Sequence, residues 1–211
     1  MTTAASACPT VDEIAALFTP RSHWQSWLEV ESALAETQAE LGMIPAEAAA
    51  EIVRKASFEY IDATALGADI ARSRAPIVSL VRALAAACDG DAGGYVHWGA
   101  TTQNVMQTAR VLLMRRAHVA FTARLAEVLL ALAGLAEEGA DMLVAARTNF
   151  RQALPITFGF KAAAWIEEML RHVQRFEGAA PRVFAALWGG AVGAMHAFGD
   201  HGVELNQRLS A

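Results

Sequence analysis

Two segments of this chain carry side chains suited to chemistry. The first is Gly94-Tyr95-Val96-His97-Trp98-Gly99-Ala100-Thr101-Thr102-Gln103-Asn104. Gly99 and Ala100 let another backbone or a ligand approach closely. The hydroxyl and amide residues behind them open a long helical pattern, whose first N–H groups and dipole favour an anion. His97 adds a donor whose charge switches near neutral pH. A carboxylate or a phosphate suits such a place; the alternative is an ordinary capped helix beside a packed His and Trp. The second segment is Ala146-Arg147-Thr148-Asn149-Phe150-Arg151-Gln152-Ala153-Leu154-Pro155. Arginine forks hold carboxylates through two parallel hydrogen bonds, so this polar stretch also reads as an anion-binding group. A solvated loop whose arginines cap helix C-termini is the other reading.

The elements that must position these residues are helical. Between Arg21 and Leu41, the residues Trp27, Val30, Leu34 and Leu41 line one helix face. Gly42 stops that helix and Pro45 starts a short Ala-rich one. An amphipathic stretch from Ile61 to Ala87 contains Pro76, which marks a kink or a restart. The stretch Asp89-Gly90-Asp91-Ala92-Gly93-Gly94 is the clearest loop, and a domain boundary is placed there. A long helix then spans roughly Thr102 to Glu138, capped by Thr101 or Thr102. One apolar stripe on it runs through Met106, Leu113, Phe121, Leu125, Val128 and Leu135, and a second through Val105, Ala109, Leu112 and Val119. A helix apolar over so much of its circumference belongs inside a bundle. Met142 to Pro155 reads as a loop, because Pro155 disfavours helix at Leu154, and a further helix covers roughly Thr157 to Phe176. No alternating strand pattern stands out. The expected fold is all-α: a small N-terminal helical domain over 1–92, then part of a long-helix bundle over 93–211.

Composition narrows the function. With 55% hydrophobic and 18% charged residues among 211, the chain is not disordered. A net charge of -5 without a basic block argues against a general nucleic-acid binder. Cys8 and Cys88 read as reduced thiols. No metal-ligand spacing links His23, His97, His118, His172, His196 and His201, and all but His97 read as surface or packing residues. The N-terminal residues show no basic and apolar leader pattern. The longest apolar run, Val128 to Ala136, is short of the roughly 18 residues a membrane helix needs. A cytoplasmic protein without a membrane partner is expected.

HWGATTQNVMQTA resembles the first signature region of the fumarase/aspartase superfamily, which reads His-x-Gly-x-Thr-Ser-x-Asp and then Asp-Thr-Ala in two of its branches. ARTNFRQALPITFG is similar to the second, Arg-Thr-His-x-Gln-x-Ala-x-Pro-x-Thr-x-Gly. LFTPRSHWQSWLEVESALAETQAELGMIP and APIVSLVRAL resemble the superfamily's opening helices. Within it the sequence looks most like the 3-carboxy-cis,cis-muconate cycloisomerase branch, because Asn149 stands where adenylosuccinate and argininosuccinate lyases carry an acidic His. Thr102, Asn104 and Gln107 replace a Ser and two Asp; losing two carboxylates would favour an acidic substrate.

The resemblance implies addition or elimination on a small polycarboxylate, with neither metal nor organic cofactor. His97, Thr101, Thr102, Gln103 and Asn104 would bind one carboxylate, and Arg147, Thr148 and Gln152 another from a second subunit. It also implies a homotetramer in which three subunits build each site. The third signature, a mobile serine loop holding the general base, is not found in these 211 residues. A fragment, inactive alone and prone to aggregate through its stripes around Leu113 and Trp165, is therefore expected, completed by a complementing C-terminal half. The alternatives are an adenylosuccinate lyase-like enzyme and a non-catalytic oligomerisation module.

Overall fold

The structure, a computed structural model, describes residues 10–210; Cys8 lies outside them. The helices are α1 (Val11–Ala16), α2 (Pro20–Glu40), α3 (Ala46–Lys55), α4 (Ala63–Ser73), α5 (Pro76–Ala87), α6 (Thr102–Glu138), α7 (Phe158–Val183) and α8 (Gly202–Leu209), with 3-10 turns at Ala92–Tyr95 and His196–His201. Two strands, β1 (Leu143–Thr148) and β2 (Arg151–Thr157), lie between α6 and α7. The chain is mostly helical, as expected.

Local chemistry sets the boundaries. The Thr19 hydroxyl accepts from the Ser22 N–H at 3.3 Å and Pro20 pre-sets the first turn of α2. Beyond its end, Gly42 takes φ +68° and its N–H donates to the Ala39 carbonyl. The Asp62 carboxylate accepts from Thr64 and Ala65 to cap α4. Pro76 restarts the chain as α5 rather than kinking one helix: Arg74, at φ 55°, has already closed α4.

The chain divides into two compact units, and α6 contributes to both. One comprises Ala15–Arg116 with Phe184–Ala211. Its core joins Leu28 and Leu34 of α2, Ile52 of α3, Ile77, Leu80 and Leu84 of α5, and Val105 and Ala109 of α6 with Trp188, Phe198 and Leu205 of the returning segment. The loop after α5 is pinned to α3 within this unit. The Asp89 N–H donates to Glu51 Oε1 at 2.9 Å, and Arg54 bridges Glu51 and Asp89. The Asp89 N–H and the Arg54 guanidinium hold the Glu51 carboxyl below the usual carboxylate range. Lys55 and Arg54 do the same for Asp89.

The other unit contains Ala117–Val183. Here the later half of α6 meets α7, with Phe121 and Phe176 edge to face at 5.2 Å. A Cβ on Gly159 would sit 2.5 Å from the Ala136 carbonyl oxygen, so only glycine permits that approach. The stretch expected as a loop is instead an antiparallel hairpin. Asn149 (φ 44°) and Phe150 (φ 60°) form its two-residue connection, with the positive dihedrals of a type I′ turn. A two-stranded ribbon leaves each strand an open edge, where the missing N–H of Pro155 need not break the ladder. Most of its residues are exposed on both faces, so there is no buried face to write an alternating pattern.

The two stripes expected on α6 also resolve differently. Val105, Ala109, Leu113 and Ala120 are buried, whereas Met106, Val119 and Leu130 are exposed. Leu113 is therefore a core residue rather than a sticky one, while Trp165 remains partly exposed. By length and composition α6 is apolar enough to cross a membrane, a property missed by counting only uninterrupted apolar residues and shared by core helices of bundles.

Candidate functional site

The turn that precedes α6 is held from beneath by two polar side chains of α2. Glu31 and Gln38 lie two helical turns apart on the buried face, among Trp27, Leu34 and Ala35. Glu31 Oε1 is 2.6 Å from Nδ1 of His97, and Gln38 Nε2 donates to the Trp98 carbonyl at 2.8 Å. His97 itself adopts φ 63°, a conformation costly for a residue with a side chain. Gly99 follows at φ 71°, and a Cβ there would fall 2.5 Å from Cε1 of Phe198. Left-handed backbone, two part-buried hydrogen bonds and the close approach of Phe198 together fix this turn.

At the helix start the Thr101 carbonyl accepts from the N–H groups of Asn104 and Val105. The N–H groups of Thr102 and Gln103 come too early in α6 to find a carbonyl within the helix, and both residues are exposed. Their side chains border a cavity of about 420 Å³, with His23 and Trp27 of α2 and Gln107 and Arg110 of α6 as further walls. The Gln107 side-chain oxygen, Oε1, is buried without a hydrogen-bond partner. An arginine, a histidine, amides, a hydroxyl and free N–H groups around one space suit a carboxylate.

Asn104 is placed differently from its neighbours. It is buried; its Nδ2 donates to the Leu187 carbonyl at 3.1 Å and its Oδ1 accepts from the Gly190 N–H at 3.0 Å. Its amide ties α6 to the returning segment rather than facing the cavity. Arg147, Thr148 and Gln152 lie in the other unit, on the hairpin. Arg147 pairs with Gln152 across the ribbon and Thr148 with Arg151, so Arg147 and Gln152 share one face and Thr148 takes the opposite one. All three are exposed. Asn149 sits in the turn itself, where αL backbone suits an asparagine.

The family described as Lyase matches residues 8–210, nearly the whole chain. The chain belongs to the fumarase/aspartase superfamily. An adenylosuccinate lyase of Methanothermobacter thermautotrophicus is 40% identical over 94% of this chain and 44% of its own length. A fumarate lyase from Mesorhizobium sp. BNC1 superposes with a TM-score of 0.89 at 38% identity, covering 99% of this chain and 49% of that one. The 3-carboxy-cis,cis-muconate lactonizing enzyme of Pseudomonas putida superposes with 0.90 at 32% identity, covering 97% and 47%. The chain thus spans about half the length of the superfamily members it matches.

Set against the superfamily's first signature, the change from Asp to Asn at position 104 has a local reason. An Asp carboxylate accepts but does not donate, whereas the Asn amide does both, and the Leu187 carbonyl needs the donor. Several residues around this end of α6 were not singled out by sequence reasoning: Glu31, Gln38, His23, Arg110 and the 187–190 segment. For Glu31 and Gln38 a signal existed, since both interrupt the apolar face of α2. His23, expected as a surface or packing residue, lines the cavity.

Proposed function

We propose that the chain supplies two of the binding elements of an enzyme that performs addition and elimination on a polycarboxylate, of the 3-carboxy-cis,cis-muconate cycloisomerase type. The observation that carries this reading is the open start of α6, where Thr102, Gln103, His23 and Arg110 surround one cavity. In the cycloisomerase reaction one substrate carboxylate adds across a double bond and a proton reaches the neighbouring carbon. The reverse is a β-elimination, so lyases and this isomerase need the same groups. Thr102 and Gln103, with His97 from the preceding turn, bind one carboxylate, while the Thr101 carbonyl closes the first turn. Arg147 and Gln152 bind a second carboxylate from one face of the hairpin, and Thr148 contributes from the other. Negative charge that develops on an enolate-like intermediate is stabilised by such preorganised donors. Asn104 serves as a tie and not as a ligand.

The proton donor and acceptor come from further segments, contributed by other subunits of a homotetramer or by a complementing C-terminal half. The apolar residues exposed on α6 and α7, among them Leu130, Phe160 and Leu170, support such an assembly. Asn149, in the position of the lyases' acidic His, supports the cycloisomerase reading. The 40% identity to an adenylosuccinate lyase favours a second one, which requires a purine pocket and another acid. To test these, the chain is expressed alone and with the C-terminal half of a homologous lyase, and 3-carboxy-cis,cis-muconate and adenylosuccinate are followed by ultraviolet absorbance. Turnover of the muconate only in the co-expressed sample is expected. Turnover of adenylosuccinate instead establishes the second reading, and turnover of neither leaves an oligomerisation module.

A further inference from the structure

Among the described residues of its unit Glu31 is the one buried acidic side chain, and it has a single partner. It is 1% exposed, its Oε1 lies 2.6 Å from His97 Nδ1, and its Oε2 is buried without a hydrogen-bond partner. A carboxylate without its proton only accepts hydrogen bonds, so opposite such a Glu31 the shared hydrogen belongs to the imidazole. That fixes the proton on Nδ1 and leaves Nε2 as the nitrogen without a hydrogen-bond partner among the described residues, on a ring that remains partly exposed. A half-turn of the ring would put Cδ2 in the place of Nδ1 and leave the buried Glu31 carboxyl without its hydrogen bond, so the ring stays with Nδ1 towards Glu31.

We propose that Glu31 is a positioning residue for His97: it selects the Nδ1–H tautomer and so offers Nε2 to the ligand carboxylate. This deepens the reading of His97 given above and rests on it. When Nε2 takes up a proton, the imidazolium donates through Nδ1 to Glu31 and through Nε2 to a ligand oxygen, and its charge is balanced on the protein side by Glu31. When Nε2 is bare, the same nitrogen accepts from a hydroxyl or a protonated carboxyl. In either state the interacting atom and its direction are the same, which is what a carboxylate site requires of a histidine.

The test reads the tautomer directly and needs neither substrate nor turnover, so it fails or succeeds independently of the proposed reaction. The full chain is labelled with 15N-histidine, His97 is assigned by loss of its signals in His97→Asn, and the two ring nitrogens are read at about pH 8.5, where an ordinary imidazole is neutral. The wild-type ring is expected to show a protonated Nδ1 and a bare Nε2. Glu31→Gln, of the same shape, and Glu31→Leu, which removes the acceptor, should each lower the Nδ1–H to Nε2–H ratio at least about tenfold. Gln38→Leu loosens the same turn without touching the ring and should leave the ratio unchanged. A wild-type ring protonated on Nε2 would mean that Glu31 is itself protonated and donates to Nδ1, and the proposal would be wrong. Equal effects from Gln38→Leu and Glu31→Gln, or no effect from either Glu31 variant, would overturn it too.

Discussion

The tie made by Asn104 can be tested by truncation. Asn104→Ala removes the donor to the Leu187 carbonyl, at 3.1 Å, and the acceptor of the Gly190 N–H, at 3.0 Å. Both backbone groups then lose their partners: the Gly190 N–H is buried, whereas Leu187 is 52% exposed and its carbonyl can turn to water, so the full penalty falls on Gly190. Each neutral hydrogen bond contributes about 1 kcal/mol net, and each buried group left unpaired costs about 1–3 kcal/mol. Allowing for partial relaxation and entry of water, the loss should be about 2–4 kcal/mol. That corresponds to roughly a 30- to 1,000-fold rise in the unfolding constant, a large part of a typical domain's stability. Urea unfolding followed by tryptophan fluorescence is a suitable assay, because Trp24, Trp27, Trp98 and Trp188 all lie in the unit concerned and only Trp165 lies outside it. Asn104→Asp separates the two roles: the carboxylate still accepts from Gly190 but sets a buried charge against the Leu187 carbonyl, so at neutral pH it should lose at least as much as Asn104→Ala and recover as falling pH restores an O–H donor. If Asn104→Ala unfolds within about 0.5 kcal/mol of wild type while weakening carboxylate binding, Asn104 is a ligand group and its assignment as a tie is wrong.

Gly99→Ala should destabilise the same unit by at least about 2 kcal/mol, because a Cβ at φ 71° is strained and would meet Phe198 at 2.5 Å; urea unfolding checks it. Phe150→Gly should stabilise the hairpin by about 1 kcal/mol, since Phe150 holds φ 60° while almost fully exposed; slower hydrogen exchange of the amides in β1 and β2 is the readout. The carboxyls of Glu51 and Asp89 titrate below the usual range in the folded chain, so their stabilisation is complete above the ordinary carboxylate range and is lost as pH falls through their folded values. Glu51→Gln should therefore be less stable than wild type at about pH 7, with the gap narrowing as pH falls below the ordinary carboxylate range, as followed by urea unfolding at each pH.

The long elements were legible because periodicity and punctuation agree in them. Trp27, Val30 and Leu34 marked the buried face of α2, and Gly42 with Pro45 marked its end. The hairpin was not legible. It buries neither face, it contains a proline, and its turn is Asn-Phe where a glycine would have announced it. Nor could periodicity choose between the two stripes of α6. The buried residues Val105, Ala109 and Leu113 follow one line and Ala120 continues it, but apolar residues flank that line on both sides. Only the positions of the neighbouring helices decide which are covered.

For the candidate site, the segment from His97 to Asn104 was legible as a place, whereas the roles within it were not. Sequence assigns side chains to a ligand by type. Whether an amide faces a cavity or a backbone carbonyl depends on residues far along the chain, and the partners of Asn104 lie more than eighty positions away. The support of His97 was equally remote, 66 positions back on α2. Yet burying a carboxylate and an amide on an otherwise apolar helix face is costly unless each finds a hydrogen bond. Glu31 and Gln38 therefore implied polar partners in whatever packs over α2, and a segment of left-handed backbone, His97 to Gly99, supplies them. Polar interruptions of an apolar stripe are for this reason a better guide to the machinery behind a site than further inspection of the site's own motif.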